Sequence, residues 1–238
     1  MTQQLTRRRR VRDTSSRTAL ALMLALTFST GVIDAVGYLG LDRVFTGNMT
    51  GNVVILGMAL VGADGLPVLG PTVALIAFMA GALAAGRTLR LAAVGWSHRT
   101  TTLLCTVTAI LLACSVTTLV IPDPAEPVAL AVTGGLGAAM GVQAAAARHL
   151  AVKDVTTVVV TSTMTGLAAD SWLGARTGQP WARRFLAILL ILLGAAAGAL
   201  ALLAGLATGI LISALISAAV TVVGHRTLRA RVDRNPTS

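Results

Sequence analysis

Two short stretches of the chain hold uncharged polar side chains of the kind that bind a solute through hydrogen bonds. The first stretch contributes Thr46, Asn48, Thr50 and Asn52, and the second contributes Thr161, Ser162, Thr163 and Thr165. Asn, Ser and Thr also cap helix N-termini, where unpaired backbone N–H groups and the positive end of the helix dipole favour an anion. Two interpretations stay open: a binding site for a small polar or anionic solute, or side chains that cap buried helix ends and join them to neighbouring helices.

Asp34 is the ionisable residue with the most distinctive position. It lies within the first long apolar segment, and Tyr38 follows one helical turn later on the same face. A carboxylate inside a membrane segment is costly and usually faces a cavity or a partner. The candidate partners are Arg43 and the side-chain amides of Asn48 and Asn52. Asp34 is therefore expected either to couple or bind a solute, or to make a structural hydrogen bond to the adjoining loop.

The sequence lacks the residue combinations of an enzyme or a metalloprotein. Ser and Thr are plentiful, but His98, His149 and His225 fall near segment ends, where they cannot activate a nucleophile at membrane depth. Cys105 and Cys114 are about 13 Å apart along one helix axis, which is too far for a disulfide. The spacing of Cys and His residues matches no metal site. We therefore expect no catalytic activity, no metal site and no cofactor.

The elements that must position these residues are helices that span a membrane. Hydrophobic residues make up 55% of the 238 residues and charged residues only 12%, about half the charged fraction of a soluble domain. The apolar residues form eight segments, at 18–39, 48–62, 71–91, 101–121, 127–147, 158–173, 184–203 and 207–224. The second and sixth segments, which carry the polar stretches, are too short to cross a hydrocarbon core about 30 Å thick. The predicted fold is all-α, with six full transmembrane helices and two half-depth helices that are re-entrant or broken.

The basic residues favour a topology with both termini in the cytoplasm. Lys and Arg number 19 against 9 Asp and Glu. If the two short segments enter and leave on one side, every Lys and Arg except Arg43 lies on one side, as the positive-inside rule requires. Trp96, Trp172 and Trp181 also fall near that side. The basic arm 1–17 and the basic tail 225–238 then lie near anionic lipid of a bacterial inner membrane. Neither terminal region has a nucleic-acid-binding motif, so we expect no nucleic-acid partner.

The chain contains a weak internal repeat. TGNMTG at 46–51 matches TSTMTG at 161–166, and Gly31-Val32 matches Gly141-Val142. The two copies, 18–121 and 127–224, each hold three full crossings. Because three is odd, the second copy enters the membrane from the opposite side, which predicts an inverted repeat of the kind found in transporters and some channels.

Small residues recur at equivalent positions in the two copies. The pairs are Gly81 with Ala85, and Gly194 with Gly198. A small residue at every fourth position allows two helix backbones to approach closely. These pairs are predicted to pack helices, either within one chain or between the subunits of a homo-oligomer.

The stretch Gly31 to Asn52, GVIDAVGYLGLDRVFTGNMTGN, resembles the signature of the YoaK-type membrane proteins, a bacterial family of unknown function. The second-half stretch TTVVVTSTMTG and the residues Gly141-Val142-Gln143 resemble the same pattern, and the resemblance covers about residues 18–225. Ser162 and Leu167 replace the Gly and Asn-like residues that the family usually has in the second motif. The resemblance implies the membrane class and the duplicated motif, and it implies no activity or substrate.

The predicted function is transport of a small polar or anionic solute through a site between the two repeats, with Asp34 as a coupling group. One alternative is a passive channel that uses the same half-helices as a constriction, and another is a non-transporting membrane assembly or regulatory protein. Gln143 is expected to make an interhelical hydrogen bond or to line a solute path. The expected partners are the lipid bilayer and a solute of unknown identity.

Overall fold

The computed structural model describes residues 2–63, 65–150, 160–176 and 181–229. In these ranges every regular element is a helix. The α-helices are α1 Thr2–Gly40, α2 Met49–Leu60, α3 Leu69–Leu89, α4 His98–Val120, α5 Glu126–Leu150, α6 Val160–Ala169, α7 Trp181–Ala201 and α8 Leu206–Gly224. A 3₁₀ turn, Leu202–Ala204, extends α7, and a π-helical turn, His225–Arg229, extends α8. Residues 230–238 of the predicted tail and the first two residues of the predicted segment 158–173 lie outside the described residues.

Six of the helices are long and apolar enough to cross a membrane. The candidate spans are Ser16–Gly40, Leu69–Leu89, His98–Val120, Glu126–Leu150, Trp181–Ala204 and Leu206–Leu228. By contrast, α2 has 12 residues and the described part of α6 has 10, which gives lengths of about 18 Å and about 15 Å. Neither length reaches across a core about 30 Å thick. The predicted all-α fold with six spans is confirmed, and α2 is the shorter apolar helix that accompanies them.

The helix ends follow local sequence signals. Ser97 caps α4 by accepting the N–H of Thr100, and the Thr100 hydroxyl accepts the N–H of Ser97 in return. Glu126 lies in the first turn of α5 and Arg148 in its last turn. At these positions each charge interacts favourably with the helix dipole. Between α7 and α8, Gly205 adopts a φ of 108°, which only glycine adopts readily. The chain therefore reverses direction sharply between these two spans.

The packed helix pairs form a regular pattern. α1 packs against α7 and α8, whereas α5 packs against α3 and α4. α4 packs against α8, and the short helices α2 and α6 pack against α3 and α7, respectively. The packing has an internal symmetry. If α1 is exchanged with α5, α2 with α6, α3 with α7 and α4 with α8, the set of packed pairs is unchanged.

Glycine residues let two of these pairs approach at backbone distance. In the α3–α5 pair, a β-carbon added at Gly81 or Gly141 would overlap backbone atoms of the partner helix. The same holds for Gly194 and Gly198 where α7 meets α1. Ala85 is buried one turn after Gly81. Both predicted small-residue pairs therefore lie at helix contacts within one chain.

One of the three tryptophans near the predicted cytoplasmic side has a different environment. Trp172 and Trp181 are exposed at helix ends, but Trp96 is buried and its ring lies against Gly224 of α8. Its indole N–H donates to the Thr101 hydroxyl over 3.0 Å. Trp96 therefore fills the space between the α3–α4 connection and α8 instead of facing the headgroup region.

Candidate functional site

Asp34 binds the chain segment that precedes α2. Its side chain is only 8% exposed, and Oδ1 accepts three successive backbone N–H groups. The donors are Thr46 at 3.1 Å, Gly47 at 2.6 Å and Asn48 at 3.2 Å. A carboxylate of the protein therefore occupies the anion position at the start of α2. The donors are thus backbone N–H groups. The sequence had suggested Arg43 or the side-chain amides of Asn48 and Asn52 as partners.

The close contact between this segment and α1 depends on a small residue at position 47. A β-carbon at Gly47 would lie 3.0 Å from Cγ2 of Thr30, 3.3 Å from Cε of Met140 and 3.4 Å from Oδ1 of Asp34. The neighbouring residue Thr46 is fully buried, and its hydroxyl donates to the Ile33 carbonyl over 3.4 Å. The segment is thus held against α1 by its backbone as well as by its side chains.

Asn52 holds the same segment through the backbone of Phe45. Its Oδ1 accepts the N–H of Phe45 at 2.9 Å, and its Nδ2 donates to the Phe45 carbonyl at 2.5 Å. The Tyr38 ring stacks on the Phe45 ring with centroids 4.8 Å apart. Asn48 caps α2 by accepting the Gly51 N–H at 3.3 Å. These contacts hold the start of α2 in place. They match the interpretation in which the polar side chains cap a buried helix end.

The structure brings the predicted residues of the first half together, with one exception. The residues that contact the segment before α2 or cap α2 are Asp34, Tyr38, Thr46, Asn48 and Asn52. The side chain of Thr50 lies on the exposed face of α2.

The second predicted stretch has a different environment. Thr161, Ser162 and Thr165 are exposed and Thr163 is partly exposed. The Thr165 hydroxyl donates to the Thr161 carbonyl at 2.9 Å. All four residues lie in α6, Val160–Ala169. None of the residues of α6 is buried.

The structure does not bring the two stretches together. α2 packs against α3, and α6 packs against α7. In the repeat alignment that pairs Gly31 with Gly141, the residue equivalent to Asp34 is Ala144. The second half therefore lacks the carboxylate that holds the first short helix.

Gln143 and Thr30 form a buried polar contact between α5 and α1. Nε2 of Gln143 donates to the Thr30 hydroxyl at 3.2 Å, and that hydroxyl donates to the Leu26 carbonyl at 2.9 Å. Because the single hydroxyl proton of Thr30 is engaged, the amide must present Nε2 to it. Oε1 of Gln143 is then left without a hydrogen-bond donor among the described residues, although the side chain is only 1% exposed.

An unpaired buried acceptor costs about 1–3 kcal/mol. Oε1 therefore marks a position where a hydrogen-bond donor from outside the chain would be stabilised. Gly47 lies against both Thr30 and Asp34, so this position adjoins the braced segment. We refer to Thr30, Asp34, Gly47 and Gln143 as the central polar cluster.

The sequence does contain a signal for the α1 part of this cluster. Thr27, Thr30 and Asp34 are spaced three and four residues apart, which places them on one helix face. On α8, Ser213, Ser217 and Thr221 recur every fourth residue and are buried as well. Polar residues at helical spacing within an apolar segment indicate a face that packs against protein rather than lipid.

Two cavities lie at opposite ends of the helix bundle. The first, the Asp123 cavity, has a volume of about 450 Å³ and lies beside the C-terminal end of α1, between Asp42, Pro67, Asp123 and Glu126. The second, the Trp172 cavity, has a volume of about 500 Å³ and lies at the start of α7. Within the described ranges, no three His, Cys, Asp or Glu side chains converge as metal ligands.

These features define the chain as an integral membrane protein with six apolar spans and two short helices. A family model described as "Protein of unknown function (DUF1275)" matches residues 22–223. The chain belongs to this family, and the predicted membership is confirmed.

The similarity to a curated relative is local. The UPF0700 transmembrane protein YoaK of Bacillus subtilis (strain 168) is 44% identical over 69 residues. The match covers 29% of this chain and 30% of that protein, so it spans less than a third of the relative. No solved structure matches the chain.

Proposed function

We propose that the protein transports a small polar solute across a bacterial inner membrane, between two halves of opposite orientation and with both termini in the cytoplasm. The observation that carries this proposal is the set of packed helix pairs, which is unchanged when α1 to α4 are exchanged with α5 to α8. Each half contributes three spans, α1, α3 and α4 or α5, α7 and α8. An odd number of spans in each half orients the two halves oppositely, as in transporters with inverted repeats.

The difference between the halves supports alternating access. The first short helix is braced by Asp34 and Asn52, whereas α6 has no buried residue and is tied to α7 through Asp170 and Arg184, whose closest atoms are 2.7 Å apart. Because Ala144 stands in place of Asp34 in the second half, α6 lacks the brace that holds α2, and a movement of α6 against α7 gives the second state. Such a pair of states would open the centre alternately to the two sides.

The central polar cluster sets the chemistry of the proposed solute. An anion at the start of α2 would compete with the Asp34 carboxylate, which already accepts three N–H groups there. Oε1 of Gln143 instead favours a solute that donates a hydrogen bond. We therefore favour a small solute with N–H or O–H groups over a simple inorganic anion.

Flux measurements test the proposal. The purified full-length chain, reconstituted in liposomes, is assayed for uptake of small neutral, anionic and cationic solutes, with and without a proton gradient. We expect uptake of at least one N–H or O–H donor, and loss of that uptake in Gln143→Leu. Thr117→Val serves as the control, because the Thr117 hydroxyl is exposed and bonds only within α4. Folded, inserted protein that moves none of these solutes would contradict the proposal.

The close packing around Gly47 favours a second candidate, a non-transporting membrane assembly protein. The position of a β-carbon at Gly47 is bounded at 3.0–3.4 Å by three side chains, so the cluster is closed in this state. The same liposome assay separates the candidates, because an assembly protein moves no solute. A passive channel would show flux that is independent of any ion gradient.

A further inference from the structure

The Trp172 cavity lies where α6 ends and α7 begins. Asp170, Trp172, Leu173, Arg176, Trp181 and Arg184 line it. Because the six spans alternate in direction, the start of α7 lies at the same membrane face as the start of α4 and the end of α5. That face carries Arg99 and Arg148, and we refer to it as the basic face.

A compact turn after α6 fixes the position of Arg176. The Ser171 carbonyl accepts the N–H groups of Gly174 at 3.0 Å and Arg176 at 3.1 Å, and its hydroxyl also accepts the Gly174 N–H. Nε of Arg176 donates to the Trp172 carbonyl at 3.0 Å, and its guanidinium lies 5.2 Å from the centroid of the Trp172 ring. This bond uses Nε, so it leaves the two Nη groups, which can contact a phosphate.

The charges of the cavity favour an anion. Nη1 of Arg184 lies 2.7 Å from Oδ2 of Asp170, so among the described lining residues the one carboxylate is matched by one guanidinium. Arg176 adds a second positive charge, which gives the lining an excess of one. Arginine binds phosphate strongly because its planar guanidinium donates two parallel hydrogen bonds.

Most of the remaining lining is apolar, and it lies at the depth of lipid headgroups. Trp172, Leu173 and Trp181 are all exposed, with 73% of Trp172 accessible. The span Trp181–Ala204 has 24 residues and is therefore about 36 Å long, compared with a hydrocarbon core of about 30 Å. Trp181 and Arg184 occupy the first turn of this span, where indole rings and arginine are favoured at the membrane boundary.

We propose that the Trp172 cavity binds the headgroup of an anionic phospholipid, with its phosphate on Arg176 and its glycerol and upper acyl chain against Trp172, Leu173 and Trp181. A soluble phosphate would satisfy Arg176 but would leave the apolar lining in water. A zwitterionic lipid brings a cation that opposes the positive charge of the cavity. Basic pockets beside transmembrane helices recognise anionic lipids by this combination. The site is independent of the proposed transport activity.

Lipid binding to the purified full-length chain tests this site. Protein in a neutral detergent is titrated with phosphatidylglycerol or with phosphatidylcholine of the same acyl chains, and bound lipid is counted by native mass spectrometry. Both lipids can place their phosphate on Arg176, but the choline cation of phosphatidylcholine is repelled by the positive cavity. We therefore expect phosphatidylglycerol to bind about ten-fold more tightly. In Arg176→Gln we expect this preference to disappear.

Arg43→Gln is the matched control, because Arg43 is also an exposed arginine with a positive φ but lies at the opposite face. Glutamine has the same β-carbon as arginine, so neither change adds backbone strain. Equal affinity for the two lipids, or an equal loss in both variants, would overturn the proposal. Displacement of the lipid by millimolar inorganic phosphate would assign the site to free phosphate instead. If Arg176→Gln does not fold, Trp172→Leu must weaken phosphatidylglycerol binding, and unchanged binding in that variant also overturns it.

Discussion

Replacing Asp34 with alanine tests whether this carboxylate holds the start of α2. The substitution leaves the N–H groups of Thr46, Gly47 and Asn48 without their acceptor. Each unsatisfied buried group costs about 1–3 kcal/mol. The three share one acceptor atom and lie side by side, so relaxation or one entering water relieves part of the sum. We expect a local loss of about 3 kcal/mol.

Hydrogen–deuterium exchange measures this loss at the affected amides. A local loss of about 3 kcal/mol corresponds to about a hundred-fold faster exchange. In Asp34→Asn the effect should be about half as large on the energy scale, because the amide oxygen still accepts but carries no charge. Asp42→Asn is the control, since Asp42 is exposed in the adjoining loop. If exchange at residues 46–48 is the same in Asp34→Ala and in the parent protein, our assignment of Asp34 as the brace is wrong.

Three other substitutions test separate contacts. Gly81→Ala should lower the unfolding temperature because its β-carbon overlaps the backbone of α5, whereas Gly86→Ala, with no atom within 4 Å, should keep or raise it. Asn52→Leu should cost about 2 kcal/mol in thermal unfolding, because both backbone groups of Phe45 lose their partner. Gln143→Leu removes an unpaired buried oxygen and should leave stability unchanged or higher while abolishing solute uptake; retained uptake would exclude Gln143 from the solute path.

The sequence was sufficient to predict the number of spans, because an apolar run of 20 residues has few alternatives to a membrane helix. It also offered a hydrogen bond from Asp34 to the following loop as one of two alternatives. The partner atoms could not be predicted, because three backbone N–H groups converge only through the conformation of residues 46–48. Side-chain patterns do not specify that conformation.

Contacts between distant helices were harder to predict. Gln143 and Thr30 are 113 residues apart, and hydropathy alone does not determine which spans are neighbours. The small-residue pairs did identify the contact faces of α3 and α7, since only small residues permit backbone contact. The second polar stretch has no equivalent of Asp34, because Ala144 occupies that position in the repeat alignment.

The short sequence distance between Asp34 and its partners has a consequence for biosynthesis. The acceptor and its donors are separated by 12 to 14 residues, whereas Ser29 and Ser213 on α8 are separated by 184. During translation the carboxylate therefore meets its donors soon after α1 emerges from the ribosome, long before the later helices exist. The first span can thus enter the lipid phase with its most costly group already paired, and the remaining contacts can form as the later helices arrive.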